Sequence, residues 1–580
     1  MSGATGAAPE DEREVSAEAP APVVPLEAAR AWLAQDPDPE TRDELSAIIA
    51  AAESGDPGAQ ADLIDRFATR LAFGTAGLRG RLGAGSNRMN RVLVTQAAAG
   101  LAGYLLDKAG PDAPPVVVVG YDGRRGSAQF ARDSAEVFAG AGLRAILLPR
   151  LLPTPVLAFA VRHLGADAGV MVTASHNPPD DNGYKVYLGG ADDGSQIVPP
   201  ADGEIAAHIQ RVADAGDIAA LPRTDEYEIA DEAVIEAYVA ATATVAPAPA
   251  GASGMRWVYT AMHGVGTETL LRILDTAGYP HPVPVTAQAE PDGRFPTVAF
   301  PNPEEPGAMD LAFETARAND AEFILANDPD ADRLAVAIPD AAAEGGWHRL
   351  TGNQIGLLLG WRAARRAAEQ GVAADSSLAC SLVSSPALQV VAERYGLAFH
   401  ATLTGFKWIS RAPNLVFGFE EALGYLVNPE TVKDKDGISA AIAILGLAAE
   451  AREHGRTLGD LLAEFDAEFG SFASGQVSVR VDDLAVIGRI TTALRSAPPA
   501  RIGSAAVVSF EDLAAPVAGP PLGDILRLWL DGDARILVRP SGTEPKLKLY
   551  LDVRGDSAAD AASRLADLEA GVRELLAGLS

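Results

Sequence analysis

Gly169-Val170-Met171-Val172-Thr173-Ala174-Ser175-His176-Asn177-Pro178-Pro179 is an apolar run that hands a serine to a proline-stiffened connection. Paired prolines fix their own φ, lack N–H donors and push the residue before them to extended geometry, so no helix continues through Asn177. Gly169–Val172 therefore reads as a buried strand and Ser175 as a residue held on a stiff, exposed loop. Ten residues on, Lys185 stands in the alternating run Tyr184-Lys185-Val186-Tyr187, which can return an ammonium beside the serine oxygen. An Asx-type turn between two strands accounts for the same residues without any chemistry.

Working outward, Pro115–Gly120 is a β-branched run that ends in Tyr121-Asp122-Gly123-Arg124. A helical pattern over Gln129–Gly140 and an apolar segment Arg144–Leu148 follow. Strand, helix and strand make a βαβ unit and predict a largely parallel sheet. Similar units begin at Trp257–Ala261, Glu322–Ala326 and Leu378–Val383, which predicts three related α/β domains with boundaries near 221–228 and 339–346. Beyond about residue 460, Gln476–Val481, Ala534–Val538 and Leu547–Val553 alternate as antiparallel strands do, beside helices. The expected organisation is a disordered tail over 1–22, then a helical packing extension with the first domain and its serine loop over 23–225. The second domain spans 226–340, the third 341–460, and a smaller α+β domain 461–580.

A chain of 580 residues exceeds a single core, and 48% hydrophobic with 22% charged residues suits a soluble globular protein. The net charge of −31 argues against nucleic acid, because an acidic body repels phosphate backbones; small phosphorylated substrates stay open if basic residues gather locally. No apolar run approaches a membrane span and no basic-then-apolar leader opens the chain, so a cytoplasmic location is the expectation. Cys380 is the sole cysteine, which rules out an intrachain disulfide or a cysteine metal cluster, and its apolar neighbours read as core. Monomer and dimer both stay open.

Asn327-Asp328-Pro329-Asp330-Ala331-Asp332-Arg333 lies between two strand-like runs. Carboxylates at alternate positions of a strand splay to opposite faces, so these three converge only if the segment curls, as Pro329 allows. Convergence without a cation costs repulsion, and Mg²⁺ is the natural occupant of such a hard-oxygen site. An EF-hand is excluded, since Arg333 and Pro339 stand where its glycine and terminal glutamate belong. Thr404-Gly405-Phe406-Lys407-Trp408 and Gly418-Phe419-Glu420-Glu421-Ala422 offer groups suited to a sugar. Lys433-Asp434-Lys435-Asp436-Gly437 is a charged turn whose lysine can serve as acid or base. Arg539 with Ser541, Gly542, Thr543 and Lys548 makes a small phosphate cradle on a strand, loop and strand, with Lys546, Lys548 and Tyr550 on one face. No P-loop, dinucleotide fingerprint or esterase elbow is present.

In this order, from Phe73-Gly74-Thr75-Ala76-Gly77-Leu78-Arg79-Gly80 to Tyr550, the motifs resemble those of the α-D-phosphohexomutase family, the phosphoglucomutases and phosphomannomutases. The resemblance implies three similar α/β domains with mixed, largely parallel sheets and a smaller C-terminal α+β domain around a central cleft. It implies a phosphoserine at Ser175 with His176 beside it, Mg²⁺ held by Asp328, Asp330, Asp332 and a phosphoserine oxygen, and Arg333 by the transferring group. Arg79 and Lys185 become candidate catalytic partners, and Lys435 matches the lysine some members use as a general base. Thr404, Gly405, Lys407, Glu420 and Ala422 fall to the sugar; Arg539, Ser541, Gly542, Thr543 and Lys548 fall to the non-reacting phosphate. A sugar bisphosphate such as glucose 1,6-bisphosphate is the implied activator, and sugar phosphates are the implied partners. Ala422 stands where many hexomutases carry serine, and the form Gly-Phe-Glu-Glu-Ala looks like the branch that includes phosphopentomutases. A pentose phosphate is thus an alternative to glucose or mannose phosphate. Two readings from other classes are an aspartyl-phosphate enzyme, which lacks its usual residue where Asp332 stands, and a silent sugar-phosphate sensor, which needs no serine–lysine–aspartate set.

Overall fold

The computed structural model describes residues 23–110, 113–480, 484–515, 523–540 and 546–579. The tail expected over 1–22 lies outside them, as do Ser541, Gly542 and Thr543. Three helices, Leu26–Gln35, Pro39–Glu53 and Pro57–Phe67, open the described chain. Two of them start at aspartate N-caps followed by proline, which supply the acceptor and the preset φ that a helix start needs. Their apolar stripes, with Trp32, Leu45 and Leu63, close on Ala84, Val92 and Ile218 of the first domain. Leu45 is fully buried there, so Leu45→Ala should lower unfolding stability by about 2–5 kcal/mol. Catalytic constants measured on the folded variant should stay within a factor of about two, since this cluster touches no loop of the cleft.

The first sheet runs in the order Leu78–Arg81, Asp181–Leu188, Ala168–Val172, Val116–Tyr121, Arg144–Leu147, Glu228–Ile229. Its centre is parallel, as the βαβ reading requires, while Asp181–Leu188 pairs antiparallel on both sides. The second sheet is Trp347–Arg349, Leu334–Pro339, Phe323–Asn327, Trp257–Thr260, Val283–Pro284, and the third is Ala398–Thr402, Ser377–Ser381, Leu415–Glu420, Gly424–Leu426. The breaks expected at 225/226 and 340/341 come a few residues early, because Glu228–Ile229 pairs into the first sheet and Trp347–Arg349 into the second. The second and third domains share one apolar core, which also takes in Val118, Leu157 and Met171 of the first, and in which the helix Gly437–Glu453 is buried on nearly every side. Its alanines and glycines let both sheets approach it, the pattern of a helix apolar all round.

The three domains repeat one device. A parallel strand runs to the cleft, a tight loop reverses it, and the next strand returns antiparallel. The pairs are Ala168–Val172 with Asp181–Leu188, Phe323–Asn327 with Leu334–Pro339, and Leu415–Glu420 with Gly424–Leu426. The loops between them hold Ser175, the three aspartates and Glu421-Ala422-Leu423 respectively, so one topological position supplies three different chemistries. The aspartate loop also meets its neighbours: Arg333 and Gly424 form an isolated antiparallel bridge, Leu334 N–H donates to the Leu423 carbonyl (3.1 Å), and Thr154 N–H, at the start of the first domain's helix Thr154–His163, donates to the Asp330 carbonyl (2.9 Å).

The fourth domain is a six-stranded antiparallel sheet, ordered Ser471–Arg480, Lys546–Gly555, Ala534–Pro540, Leu526–Leu530, Ala505–Asp512, Arg501–Ile502, with two helices behind it. The expected alternation holds: Leu547, Leu549 and Leu551 enter its own core, whereas Tyr550 joins Leu382 and Val383 of the third domain in a small separate cluster. No helix among the described residues is long and apolar enough to cross a membrane.

Candidate active site

Ser175 is buried, with φ +54°, a left-handed conformation uncommon for a residue with a Cβ. Its N–H donates to Thr173 Oγ1 (2.8 Å), and the loop is fastened from below by a residue the motifs did not single out. The buried Arg124 guanidinium donates to four carbonyls of this loop: Ser175 (2.6 Å), Asn177 (2.5 Å), Pro178 (2.9 Å) and Asp181 (3.1 Å). Asp122 orients Arg124, accepting from its N–H at 3.0 Å, and Phe295 of the second domain covers the guanidinium face. The signal was in the strand-terminal Asp-Gly-Arg, but nothing in sequence shows which carbonyls an arginine will meet.

The aspartate loop curls at Ala331, whose φ is +57° and whose N–H donates to the Asp328 carbonyl at 2.9 Å, so the splay expected of a strand is avoided. One oxygen from each of Asp328, Asp330 and Asp332 lies within 4.8 Å of the others, all buried. Asp328 Oδ2 accepts from Ser175 Oγ at 2.9 Å, which brings the serine of one domain onto the carboxylates of the next. Thr154 Oγ1 donates to Asp330 Oδ2 (2.7 Å), another contact absent from the motif reading. Lys185, whose spacing could return it beside the serine oxygen, spends its ammonium on the aspartates. Its Nζ bonds Asp330 Oδ2 (2.7 Å) and Asp332 Oδ2 (2.8 Å), because opposing charge at the buried carboxylates outcompetes a neutral hydroxyl. Burial, then Asp330 and Asp332, push Asp328 well above the usual carboxylate range; at Asp330 burial is outweighed by Lys185, which holds that carboxyl low. Asp330 Oδ1 and Asp332 Oδ1 are buried without a hydrogen-bond partner. Two orphaned anionic oxygens beside a third carboxylate fit a hard divalent cation.

Around this cluster stand cations and one neutral imidazole. His176 Nδ1 is 3.2 Å from Ser175 Oγ, and burial with Arg333 and Arg79 nearby pulls its pKa well below the ordinary histidine value. Arg79 donates only to Asn177 Oδ1 (3.4 Å) and has no ion pair among the described residues. Arg333 donates to the Ala422 carbonyl (2.9 Å), so Ala422 contributes its main chain in this structure. Lys435 Nζ lies 3.3 Å from Asp332 Oδ2 and 3.5 Å from Asp434 Oδ1; burial is outweighed by these carboxylates, which raise its pKa. Here it is a cation, and the role of neutral base implied for it needs those carboxylates engaged elsewhere. Glu420 is buried at the end of its strand, and burial, countered by Lys435, raises its pKa. Glu421 accepts from Ser381 and Ser384 instead of facing solvent. On the far wall, Lys407 bonds Thr75 Oγ1 and Arg539 Nη1 donates to Thr404 Oγ1 at 3.3 Å, which spans the third and fourth domains. Gly405 holds φ +111° where the chain enters the short helix Phe406–Ile409. Lys548 is opposite Arg539 in the sheet register. Cys380 is buried, its thiol pushed up to about 12 by burial, and is inert core.

Four family models match the chain in order. They are described as Phosphoglucomutase/phosphomannomutase, alpha/beta/alpha domain I over residues 70–215, domain II over 236–342, domain III over 351–469, and the C-terminal domain over 526–570. The chain belongs to the phosphoglucomutase/phosphomannomutase family. A "Probable phosphomannomutase" of Haemophilus influenzae is 55% identical over 488 residues, which span 84% of this chain and 98% of that one. A "Probable phosphoribomutase" of Schizosaccharomyces pombe is 33% identical, spanning 93% and 96%. A solved structure of a putative phosphomannomutase from Thermus thermophilus superposes with a TM-score of 0.66 at 25% identity, covering 88% of this chain and 99% of that one. The enzyme is accordingly an isomerase of the intramolecular phosphotransferase type.

One glycine ties the aspartate loop to the helix Gly437–Glu453. A Cβ at Gly437 would meet the Arg333 carbonyl at 2.2 Å and Asn327 Nδ2 at 2.6 Å. Gly437→Ala must push the helix Gly437–Glu453 away from the aspartate loop. It is expected to weaken the apparent affinity for Mg²⁺ by about 10–100-fold, the usual cost of disturbing groups just behind metal ligands; an unchanged Mg²⁺ activation curve would refute this.

Proposed function

We propose that the enzyme moves a phosphoryl group between the C1 and C6 hydroxyls of a hexose phosphate, glucose and/or mannose, through a phosphoserine at Ser175 and a sugar bisphosphate. The carrying observation is the 2.9 Å contact between Ser175 Oγ and Asp328 Oδ2, which joins a strained serine loop to a buried carboxylate trio suited to a cation. Mg²⁺ bound by Asp328, Asp330 and Asp332 would supply positive charge to the oxygens of the transferring group.

The rest falls to the chain's own side chains. The free hydroxyl of a sugar phosphate attacks phosphorus on Ser175; its O–P bond forms as the P–Oγ bond breaks, and the hydroxyl proton ends on Oγ. His176, neutral and 3.2 Å from Oγ, is placed to relay that proton. The bisphosphate turns over, and Ser175 takes the phosphoryl group from the other end by the same steps reversed. Arg79, short of anionic partners, and Arg333 face the developing charge. Arg539 with Ser541, Gly542, Thr543 and Lys548 holds the phosphate that is not reacting, while Glu420, Thr404, Gly405 and Lys407 take sugar hydroxyls. A sugar bisphosphate such as glucose 1,6-bisphosphate would prime the serine. The fourth domain meets the third through a small apolar cluster, Arg535 on the Ser384 carbonyl and Arg539 on Thr404, and it should close on the sugar. Small-angle scattering should show contraction on adding sugar phosphate, and identical profiles would refute the closure.

A second reading, conversion of ribose 1-phosphate to the 5-phosphate, is favoured by the relative named "Probable phosphoribomutase". The deciding experiment is isomerisation followed by phosphorus NMR, with Mg²⁺ and a trace of sugar bisphosphate, offering glucose, mannose and ribose 1-phosphates in turn. Preferential conversion of a hexose supports the first reading and of ribose the second. A phosphoenzyme labile to hydroxylamine would replace both with an aspartyl phosphate.

A further inference from the structure

The helix Gly352–Glu369 begins against the Glu421 carbonyl at the cleft and carries, about 15 Å further along its axis, two arginines one turn apart. Arg362 Nη2 and Arg366 Nη1 both donate to the Val245 carbonyl, at 2.7 Å each. Two guanidiniums sharing one neutral acceptor hold like charges within a few ångströms. Neither has a carboxylate within 4.0 Å among the described residues. This is an unusual arrangement in a chain of net charge −31, where a carboxylate partner is easily found. Burial, then the neighbouring Arg366, pushes Arg362 down to about 10, against the opposing charge of Glu450, which stands beyond ion-pair distance. The Tyr279 hydroxyl, buried and without a partner, lies beside Arg362: a Cβ at Gly446 would be 3.5 Å from that hydroxyl and 3.9 Å from Arg362 Nη2.

The two arginines open on a cavity of about 330 Å³. Its apolar wall is formed by Ala363, Leu415 and Val416, and its polar wall by Asn428, whose side-chain oxygen and nitrogen are both buried without a hydrogen-bond partner. One carboxylate, Glu430, also lines the cavity; that residue is exposed, and its main-chain carbonyl is held by Arg162. Two guanidinium forks and an unused amide match a tetrahedral dianion, and the apolar wall leaves room for the body of a small ester.

We propose that this pocket binds a phosphate group, inorganic or on a small phosphorylated metabolite, at a site separate from the catalytic cleft. The occupant would sit at the base of the hairpin Leu415–Leu426, ~16 Å along the strand from Glu420 at its tip. The proposal does not rest on the reading of Ser175, and its test does not use turnover.

Hydrogen exchange of the full chain should be followed with inorganic phosphate and, separately, with glycerol 3-phosphate, each against chloride at matched ionic strength. Residues 244–246 and 426–432 are expected to exchange at least threefold more slowly with the phosphate probes. Protection by both places recognition in the phosphate group, and protection by glycerol 3-phosphate alone assigns it to an ester. Arg362→Gln with Arg366→Gln should abolish the effect. Asn428→Leu, which leaves both arginines on Val245, should require about tenfold more phosphate. Residues 173–182 report the cleft in the same spectra and serve as an internal control. No phosphate-specific protection at 244–246 and 426–432 in the wild type, or full protection in the double variant, would overturn the site.

Discussion

Ser175→Ala should lower kcat by on the order of 10⁴-fold or more, and the purified variant should take up no phosphate from sugar bisphosphate. The size follows from the chemistry: the alternatives near Ser175 are carboxylates already committed to Lys185 and Arg333, and water is a poor acceptor to return from. The fold should survive. The serine hydroxyl donates one bond, to Asp328, and alanine at φ +54° costs about 1–2 kcal/mol of backbone strain that the serine already bears. Intact-mass measurement after incubation with glucose 1,6-bisphosphate checks the outcome directly. Uptake of a phosphoryl group by the alanine variant would move the phosphoenzyme away from Ser175, and Asp328 would be the next residue to test.

Arg124→Met should lower turnover by on the order of 10²-fold, although Arg124 touches no substrate in the proposed mechanism. Removing the guanidinium leaves four loop carbonyls without their donors and Asp122 as a buried carboxylate without its partner. Breaking a buried ion pair from one side costs about 3–5 kcal/mol of stability. A serine displaced by as little as ~1 Å loses on the order of 10²-fold in rate. The KM for sugar phosphate should change little, because the contacts proposed for the sugar and the distal phosphate lie on the third and fourth domains. Calorimetric unfolding together with steady-state kinetics tests both halves. A variant as stable as wild type with normal kcat would mean that the paired prolines alone hold the loop.

The motifs were legible because each combines residue types that ordinary folding does not favour together: a serine before paired prolines, three aspartates in five positions, an arginine–proline–serine–glycine run. The order of those motifs identified the family, and β-branched runs separated by helical periods were enough for three α/β units and an antiparallel end domain. Local periodicity carries that information because strand and helix repeats are set by neighbours in the chain. What the residues meet across the cleft was decided only by tertiary structure. Lys185 pairs with the aspartates of the next domain, Lys435 is held as a cation by Asp332 and Asp434, and Arg124 finds its four carbonyls because the strand before it lies parallel beside Ala168–Val172. Charge pairing falls off with distance in space, and residues more than a hundred positions apart are brought within 3 Å by sheet register and domain docking, neither of which is written in local sequence. The same holds for the shared core of the second and third domains. The sequence determines that Gly437–Glu453 is small and apolar all round, and the fold decides which two sheets close over it.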